Sequence, residues 1–112
     1  MKKVFRKFKI KRYNRGQDCI EIDYIELKER VKTGAILLDV RSAQEYQEGH
    51  LEGAILVPEY EIEKNIEKII NDKHQEIIIY CTSGSRSKKA YKTMRRKGYD
   101  NLYNLKGGLD NI

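Results

Sequence analysis

Seven consecutive residues combine a nucleophile, hydroxyl groups, a glycine and an arginine, a set that can bind and transfer an anion. They are Cys81, Thr82, Ser83, Gly84, Ser85, Arg86 and Ser87. A cysteine thiolate is a nucleophile, glycine lets backbone amides converge on one point, and arginine supplies a fork of N–H donors. We predict that Cys81 is the catalytic nucleophile and that the six residues after it bind the substrate. The alternative is an inert cysteine packed at the end of a strand.

The stretches on either side of this loop predict a strand before it and a helix after it. Residues 77–80 form an apolar run of the kind found in strands that are buried on both faces. Apolar residues recur at helical spacing in residues 88–98, and Gly98 stands where a helix ends. Cys81 is therefore expected at a strand-to-helix junction, where free amides and the positive end of the helix dipole stabilise a thiolate.

Two lysines, Lys88 and Lys89, follow the loop and break a local rule. Cations are disfavoured in the first turn of a helix, which is where the sequence pattern places them. Departures of this kind occur mostly at functional sites. We therefore interpret the two lysines, here called the lysine rim, as a positively charged surface that attracts an anionic substrate. The alternative is a pair of solvated lysines whose position costs little.

Length and composition indicate one globular domain without a membrane span. The chain has 112 residues, of which 39% are apolar and 36% charged. We expect no transmembrane segment and no secretory signal, because no apolar run approaches 18 residues. Two cysteines, Cys19 and Cys81, cannot form a disulfide framework, and no residues have metal-ligand spacing. A reduced, cytoplasmic setting and no metal are therefore expected.

The positive charge of the chain is concentrated at its beginning. Residues 1–15 hold eight of the 23 basic residues and no acidic residue, which leaves 15 basic and 17 acidic residues in 16–112, a net charge of −2. We predict a flexible basic arm over residues 1–17 and a domain over residues 18–112. The arm could contact RNA, a membrane or an acidic protein. The alternative is a solvated extension.

Strand and helix patterns alternate along the rest of the chain. The predicted strands are 20–22, 35–40, 53–58, 77–80 and 101–105, and the predicted helices are 24–31, 42–47, 59–71 and 88–98. This alternation predicts an α/β fold with a parallel sheet, whose functional site lies beyond the carboxyl ends of the strands.

Motifs in three parts of the chain resemble the signature of rhodanese domains. Asp39-Val40-Arg41, Glu45-Tyr46 and Gly49-His50-Leu51-Glu52-Gly53-Ala54 resemble its D-V-R, E-[YF] and G-H-I-x-G-A motifs. The loop from Cys81 to Ser87 resembles the C-x-x-G-x-R-S active loop of single-domain rhodaneses, and residues 105–108 resemble the closing L-x-G-G. The resemblance covers residues 20–108, with the motifs in the family's order.

The resemblance implies a rhodanese-like fold, with a five-stranded parallel sheet and helices on both faces. It also implies a sulfurtransferase without a metal or organic cofactor, in which Cys81 takes a sulfane sulfur from a donor such as thiosulfate. The resulting persulfide, held by the backbone of Thr82 to Arg86, would pass its outer sulfur to cyanide, a thiol or a protein acceptor. Arg86 would shape the loop or contact the donor.

Two other functions compete with sulfur transfer. One is a sulfur-carrier or redox-sensing module without catalytic activity that docks through the basic arm. If docking is the function, deletion of residues 1–15 should abolish salt-sensitive binding, whereas an enzyme should keep its activity. The other is phosphatase or arsenate reductase activity. Related phosphatases have five residues between cysteine and arginine, whereas four separate Cys81 from Arg86 here, and the shorter loop suits a sulfur atom better.

The remaining signature residues are expected to be structural. Asp39, Arg41 and Glu45 can order the turn after a strand, and His50, which lies between glycines, can bond nearby backbone. Cys19 matches no motif and is also expected to be structural. The tryptophan that often follows the double glycine in the family is absent, which leaves the packing of the C-terminal segment open.

Overall fold

The fold is seen in a computed structural model that describes residues 19–112; the predicted basic arm, residues 1–17, lies outside the described residues. The strands are β1 (Glu21–Ile22), β2 (Ile36–Asp39), β3 (Ile55–Leu56), β4 (Ile77–Tyr80) and β5 (Leu102–Leu105). The α-helices are α1 (Tyr24–Lys32), α2 (Ala43–Glu48), α3 (Ile62–Ile69) and α4 (Ser85–Arg96). Short 3₁₀ turns occupy Glu59–Glu61 and Gly108–Asn111.

The five strands form one parallel sheet in the order β1-β5-β4-β2-β3. β4 lies at its centre, where Ile77 pairs with Ile36 of β2 on one side and with Leu102 of β5 on the other. All four residues of β4 are buried, as the unbroken apolar run predicts. Because the strands are parallel, their carboxyl ends share one edge of the sheet, and Cys81 directly follows β4 at that edge.

Alternate residues of the central strands build two core layers, one on each face of the sheet. Ile77 and Ile79 pack in one layer with Ile62 and Ile66 of α3 and with residues of α4. The other layer contains residues of β2 and β4 together with Leu27 of α1 and Tyr46 of α2. Each buried isoleucine contributes about 1.5–3 kcal/mol. The predicted parallel sheet with helices on both faces is therefore confirmed.

Local sequence signals set several of the element boundaries. A capping box opens α2, since the Ser42 hydroxyl accepts from the Glu45 amide and the Glu45 carboxylate accepts from the Ser42 amide. β3 is shorter than the predicted 53–58. The predicted helix over 59–71 is also shorter, because its first residues form a 3₁₀ turn after Pro58 and the α-helix ends at Ile69.

The helix after the cysteine loop begins at Ser85, three residues before its predicted start. Its first hydrogen bond runs from the Lys88 amide to the Gly84 carbonyl, at 3.2 Å. Ser85, Arg86 and Ser87 are therefore helical residues and not loop residues, which corrects the sequence-based prediction. Lys88 closes the first turn of α4, and Lys89 lies beyond it.

Candidate active site

The Cys81 sulfur is enclosed by the loop that follows it. The side chain is completely buried, and its Sγ accepts hydrogen bonds from the backbone amides of Gly84, at 3.1 Å, and Ser87, at 3.3 Å. These donors come from the residue that precedes α4 and from its first turn. The arrangement favours negative charge on the sulfur, because two N–H dipoles and the positive end of a helix point at it.

Gly84 makes this geometry possible. Its φ of +106° lies in the left-handed region that L side chains rarely adopt. This conformation turns the chain from β4 into α4 within four residues and directs the Gly84 amide back at the sulfur. The first amides of a helix have no acceptor within the helix. The amides of Ser85 and Arg86 therefore remain suited to bind a second anionic atom beside Sγ.

Ser87 adds a hydroxyl to the surroundings of the sulfur. Its side chain is fully buried, with Oγ 3.5 Å from Cys81 Sγ and 3.1 Å from the Gly84 carbonyl oxygen. With a protonated thiol, S–H donates to Ser87 Oγ while the hydroxyl donates to the carbonyl. With a thiolate, the same hydroxyl can rotate and donate to the sulfur. The sequence placed Ser87 in the site but did not indicate this contact.

The C-terminal segment that contains the double glycine packs against the backbone of the cysteine loop. The Leu109 amide donates to the Cys81 carbonyl at 3.0 Å, and the Asp110 amide donates to the Thr82 carbonyl at 2.9 Å. Gly108 lies so close that a Cβ there would stand 2.5 Å from the Thr82 oxygen and 2.6 Å from the Cys81 oxygen. The sequence identified this segment as the closing L-x-G-G motif but did not indicate its contact with the loop. The adjacent glycines were the signal that another backbone passes closely.

Arg86 is held by Glu45. The guanidinium donates through Nη1 to Glu45 Oε1, at 2.7 Å, and through Nη2 to Oε2, at 3.0 Å. The hydrogen bond to Arg86, followed by that of the Ser42 amide, holds the pKa of the Glu45 carboxyl far below its usual range. The same pairing raises the pKa of Arg86. Thr82, with Oγ1 3.4 Å from both side chains, joins this contact.

Asp39 and Arg41 form a second, buried network of hydrogen bonds. Arg41 donates to both carboxylate oxygens of Asp39 and, at 2.6 Å, to the Gly49 carbonyl. The Tyr80 hydroxyl donates to Asp39 at 2.7 Å and accepts from the Leu51 amide at 3.1 Å. Burial, with a further contribution from Asp39, raises the pKa of Tyr80, while the Asp39 hydrogen bond raises that of Arg41. Sequence reasoning missed Tyr80, since its hydroxyl is hidden in an apolar strand pattern.

His50 lies on the surface, and the contacts seen for it are with Tyr46. Nδ1 is 2.8 Å from the Tyr46 carbonyl oxygen, and the two rings stack with centroids 3.6 Å apart. The Tyr46 hydroxyl donates to the Ala54 carbonyl at 2.6 Å. His50 thus orders the segment between α2 and β3.

The lysine rim is paired with carboxylates from other elements. Lys88 Nζ lies 3.7 Å from the Glu21 carboxylate of β1, and Lys89 Nζ lies 3.8 Å from that of Glu59. Both lysine side chains are more than half exposed. Each cation therefore faces an acid, which the sequence pattern did not indicate because both acids are distant in the chain.

Cys19 is half-buried against the core layer that contains Cys81, and neither cysteine is in a disulfide. Within residues 19–112, no cluster of three or more His, Cys, Asp or Glu side chains could hold a metal ion. No helix in the same range is long and apolar enough to cross a bilayer.

Comparison with known proteins agrees with this architecture. A sequence profile of the rhodanese-like domain family matches residues 23–112. The chain therefore belongs to the rhodanese-like domain family. Its fold is shared with a rhodanese-related protein from Thermoplasma volcanium, with a TM-score of 0.72 and 26% identity over 81% of this chain and 87% of that one.

Two further relatives are similar in sequence. An Escherichia coli rhodanese solved with anions is 33% identical, with a TM-score of 0.65, and covers 70% of this chain and 91% of its own. Among curated proteins, a tRNA uridine(34) hydroxylase from Erwinia tasmaniensis is 34% identical over 79 residues. That match covers 67% of this chain but only 23% of the relative, so the chain spans about a quarter of the length of such relatives.

Proposed function

We propose that this domain is a sulfurtransferase that carries a sulfane sulfur as a persulfide on Cys81. The observation that supports this most directly is the pair of amides, from Gly84 and Ser87, that donate to the Cys81 sulfur. A merely packed cysteine needs no such donors, because a neutral thiol is a weak acceptor. Membership of the rhodanese-like domain family is consistent with this proposal.

The reaction divides into two displacements. In the first, the Cys81 thiolate attacks the outer sulfur of a donor such as thiosulfate, the new S–S bond forms, and sulfite leaves with the electron pair of the broken bond. The outer sulfur of the persulfide then lies near the amides of Ser85 and Arg86, which can bind its negative charge. In the second, a thiol, cyanide or a protein acceptor attacks that sulfur, and Cys81 is regenerated as thiolate.

The test is a mass measurement on the intact protein. Incubation with a sulfane donor should add about 32 Da, the mass of one sulfur, and cyanide or dithiothreitol should remove it. Cys81→Ser should gain nothing, whereas the matched variant Cys19→Ser should gain the same mass as the native protein. An unmodified native protein after treatment with several sulfane donors would refute the proposal.

The position of Arg86 argues against phosphatase or arsenate reductase activity. Arginine commonly binds phosphate through a bidentate fork, and here Nη1 and Nη2 of Arg86 already donate to Glu45. Turnover of an aryl phosphate that depends on Cys81 would contradict this argument.

A reaction on tRNA is a second candidate, and the observation behind it is the 34% identity to proteins named for hydroxylation of uridine 34. Because the chain spans about a quarter of those proteins, the shared domain alone supports it. Nucleoside mass spectrometry of tRNA incubated with the full chain tests the idea. A modified uridine that depends on Cys81 would favour it, and unchanged nucleosides would leave sulfur transfer to other acceptors.

A further inference from the structure

The cation nearest the cysteine loop is already neutralised. Arg86 makes two charge-assisted hydrogen bonds to Glu45, whose carboxylate is also held by the amide and hydroxyl of Ser42. Paired forks of this kind are among the stronger side-chain contacts. A donor that needed Arg86 would first have to displace this carboxylate.

The lysine rim is balanced in the same way. Glu21 faces Lys88 from β1, where it also accepts from Asn104 at 3.0 Å, and Glu59 faces Lys89 from the turn after β3. Since β1 and β3 are the two outer strands, the acids flank the start of α4 on both sides. Exposed ion pairs of this type contribute little to stability. The attraction of an anionic donor from a distance, however, depends on the net charge around the loop, and here three carboxylates cancel three cations.

The positive potential left at the loop is that of the backbone. A helix N-terminus is equivalent to roughly half an elementary charge, with free amides that bind one anionic atom. Arg86, Lys88 and Lys89 each face a carboxylate, so the amides at the start of α4 supply the positive potential that these three side chains do not.

Sulfane donors differ greatly in the charge that they bring to such a site. Attack of a thiolate on thiosulfate gathers three negative charges, one from sulfur and two from the dianion. Attack on a protonated persulfide, R–S–SH, gathers one. In that step a bond forms between Cys81 Sγ and the outer sulfur, the S–S bond of the donor breaks, R–S⁻ leaves with the electron pair of that bond, and the proton stays with the transferred sulfur, so atoms and charge balance.

From this balance we propose that the preferred donor of the site is a thiol persulfide and that thiosulfate is a poor one. The inference rests on the proposed function, because it assumes that Cys81 accepts a sulfane sulfur. What the inference adds is the chemical class of the sulfur donor, which the shared motifs do not specify.

The experiment compares the loading of Cys81 by the persulfide of an uncharged thiol, 2-mercaptoethanol, and by thiosulfate at mildly acidic pH, where the persulfide is protonated, measured as the rate of sulfur addition to the intact full chain. The persulfide should load at least about tenfold faster at equal concentration, and the thiosulfate rate should depend only weakly on ionic strength, because the cations beside the loop are paired with carboxylates. Glu59→Gln, which leaves Lys89 without its carboxylate, should accelerate loading by thiosulfate several-fold and leave loading by the persulfide nearly unchanged.

A matched variant separates a local effect from net charge. Glu29→Gln removes the carboxylate that lies 3.8 Å from Lys32 on α1, and it should change neither rate. If thiosulfate loads faster than the persulfide and salt suppresses it, or if Glu59→Gln does not favour thiosulfate, the donor inference is wrong and the sulfurtransferase stands. If neither donor adds sulfur, both fail.

Discussion

Arg86 and Glu45 are 41 residues apart in the chain and meet through two hydrogen bonds, of 2.7 and 3.0 Å, beside the cysteine loop. Glu45 belongs to α2, which packs on one face of the sheet, and Arg86 belongs to α4, which packs on the other. The pair therefore joins the two helical layers at the carboxyl edge of the strands. In this arrangement both Nη atoms of Arg86 donate to a carboxylate.

This pair should make stability depend on pH. The pKa of Glu45 is lowered from 4.5, chiefly by Arg86, so its contribution is complete above that value and is lost as the pH falls toward the lower folded-state pKa. We expect Glu45→Gln to lower the free energy of unfolding by about 1 kcal/mol at neutral pH, since both side chains are partly exposed. Urea unfolding from about pH 7 to about pH 3 should show this difference shrinking.

The matched control is Glu48→Gln. It removes a carboxylate of the same helix, whose Oε2 lies 3.4 Å from the side-chain amide nitrogen of Gln44. It should leave stability nearly unchanged at all these pH values. A loss that is constant with pH for Glu45→Gln would contradict the ion-pair explanation.

Ser87→Ala should slow the reactions of Cys81. The substitution removes the buried hydroxyl whose Oγ is 3.5 Å from the sulfur, and with it a donor to the thiolate. Alkylation by iodoacetamide at neutral pH should slow by about two- to tenfold, which corresponds to the loss of one ordinary hydrogen bond. Thr93→Ala, which removes a hydroxyl from the same helix, serves as the control. An unchanged alkylation rate in a stably folded Ser87→Ala protein would show that the hydroxyl has only a packing role.

Gly108→Ala should damage both stability and the loop. The new Cβ would overlap the carbonyl oxygens of Cys81 and Thr82, at 2.6 and 2.5 Å, and the backbone φ of +64° is itself unfavourable for alanine. We expect a loss of about 2 kcal/mol or more in unfolding free energy, together with slower loading of Cys81. Gly53→Ala has a comparable φ of +84° but open space around it. It should cost only about 1 kcal/mol, and equal losses in the two variants would rule out the overlap as the cause.

Asp39→Asn should destabilise the protein more than any exposed ion pair could. Asp39 is fully buried, and it accepts from Arg41 and from the Tyr80 hydroxyl. Loss of its charge leaves the buried guanidinium uncompensated, so we expect about 3 kcal/mol or more of lost stability by chemical denaturation. Glu29→Gln, at an exposed pair, should cost well under 1 kcal/mol. A small effect of Asp39→Asn would mean that the Gly49 carbonyl and solvent suffice for Arg41.

Most of the architecture followed from short-range patterns. The apolar runs 35–40 and 77–80 predicted the central strands, because a strand buried on both faces needs no polar alternation. The Ser42 and Glu45 capping box could be predicted because both of its hydrogen bonds lie within one turn. The start of α4 was predicted three residues late, since a Gly-Ser-Arg stretch carries polar loop character even where its backbone is helical.

The cysteine loop itself was also determined by sequence, because a nucleophile, a glycine and a helix start are adjacent in the chain and their geometry is local. Tertiary structure decided what surrounds the loop. Only the folded chain brings Glu45 to Arg86, the Gly108 backbone under Cys81 and Thr82, and Glu21 and Glu59 to the lysine rim. These contacts join residues that are 26 to 67 positions apart, so the neutral charge balance at the site follows from strand order and helix packing and not from any motif.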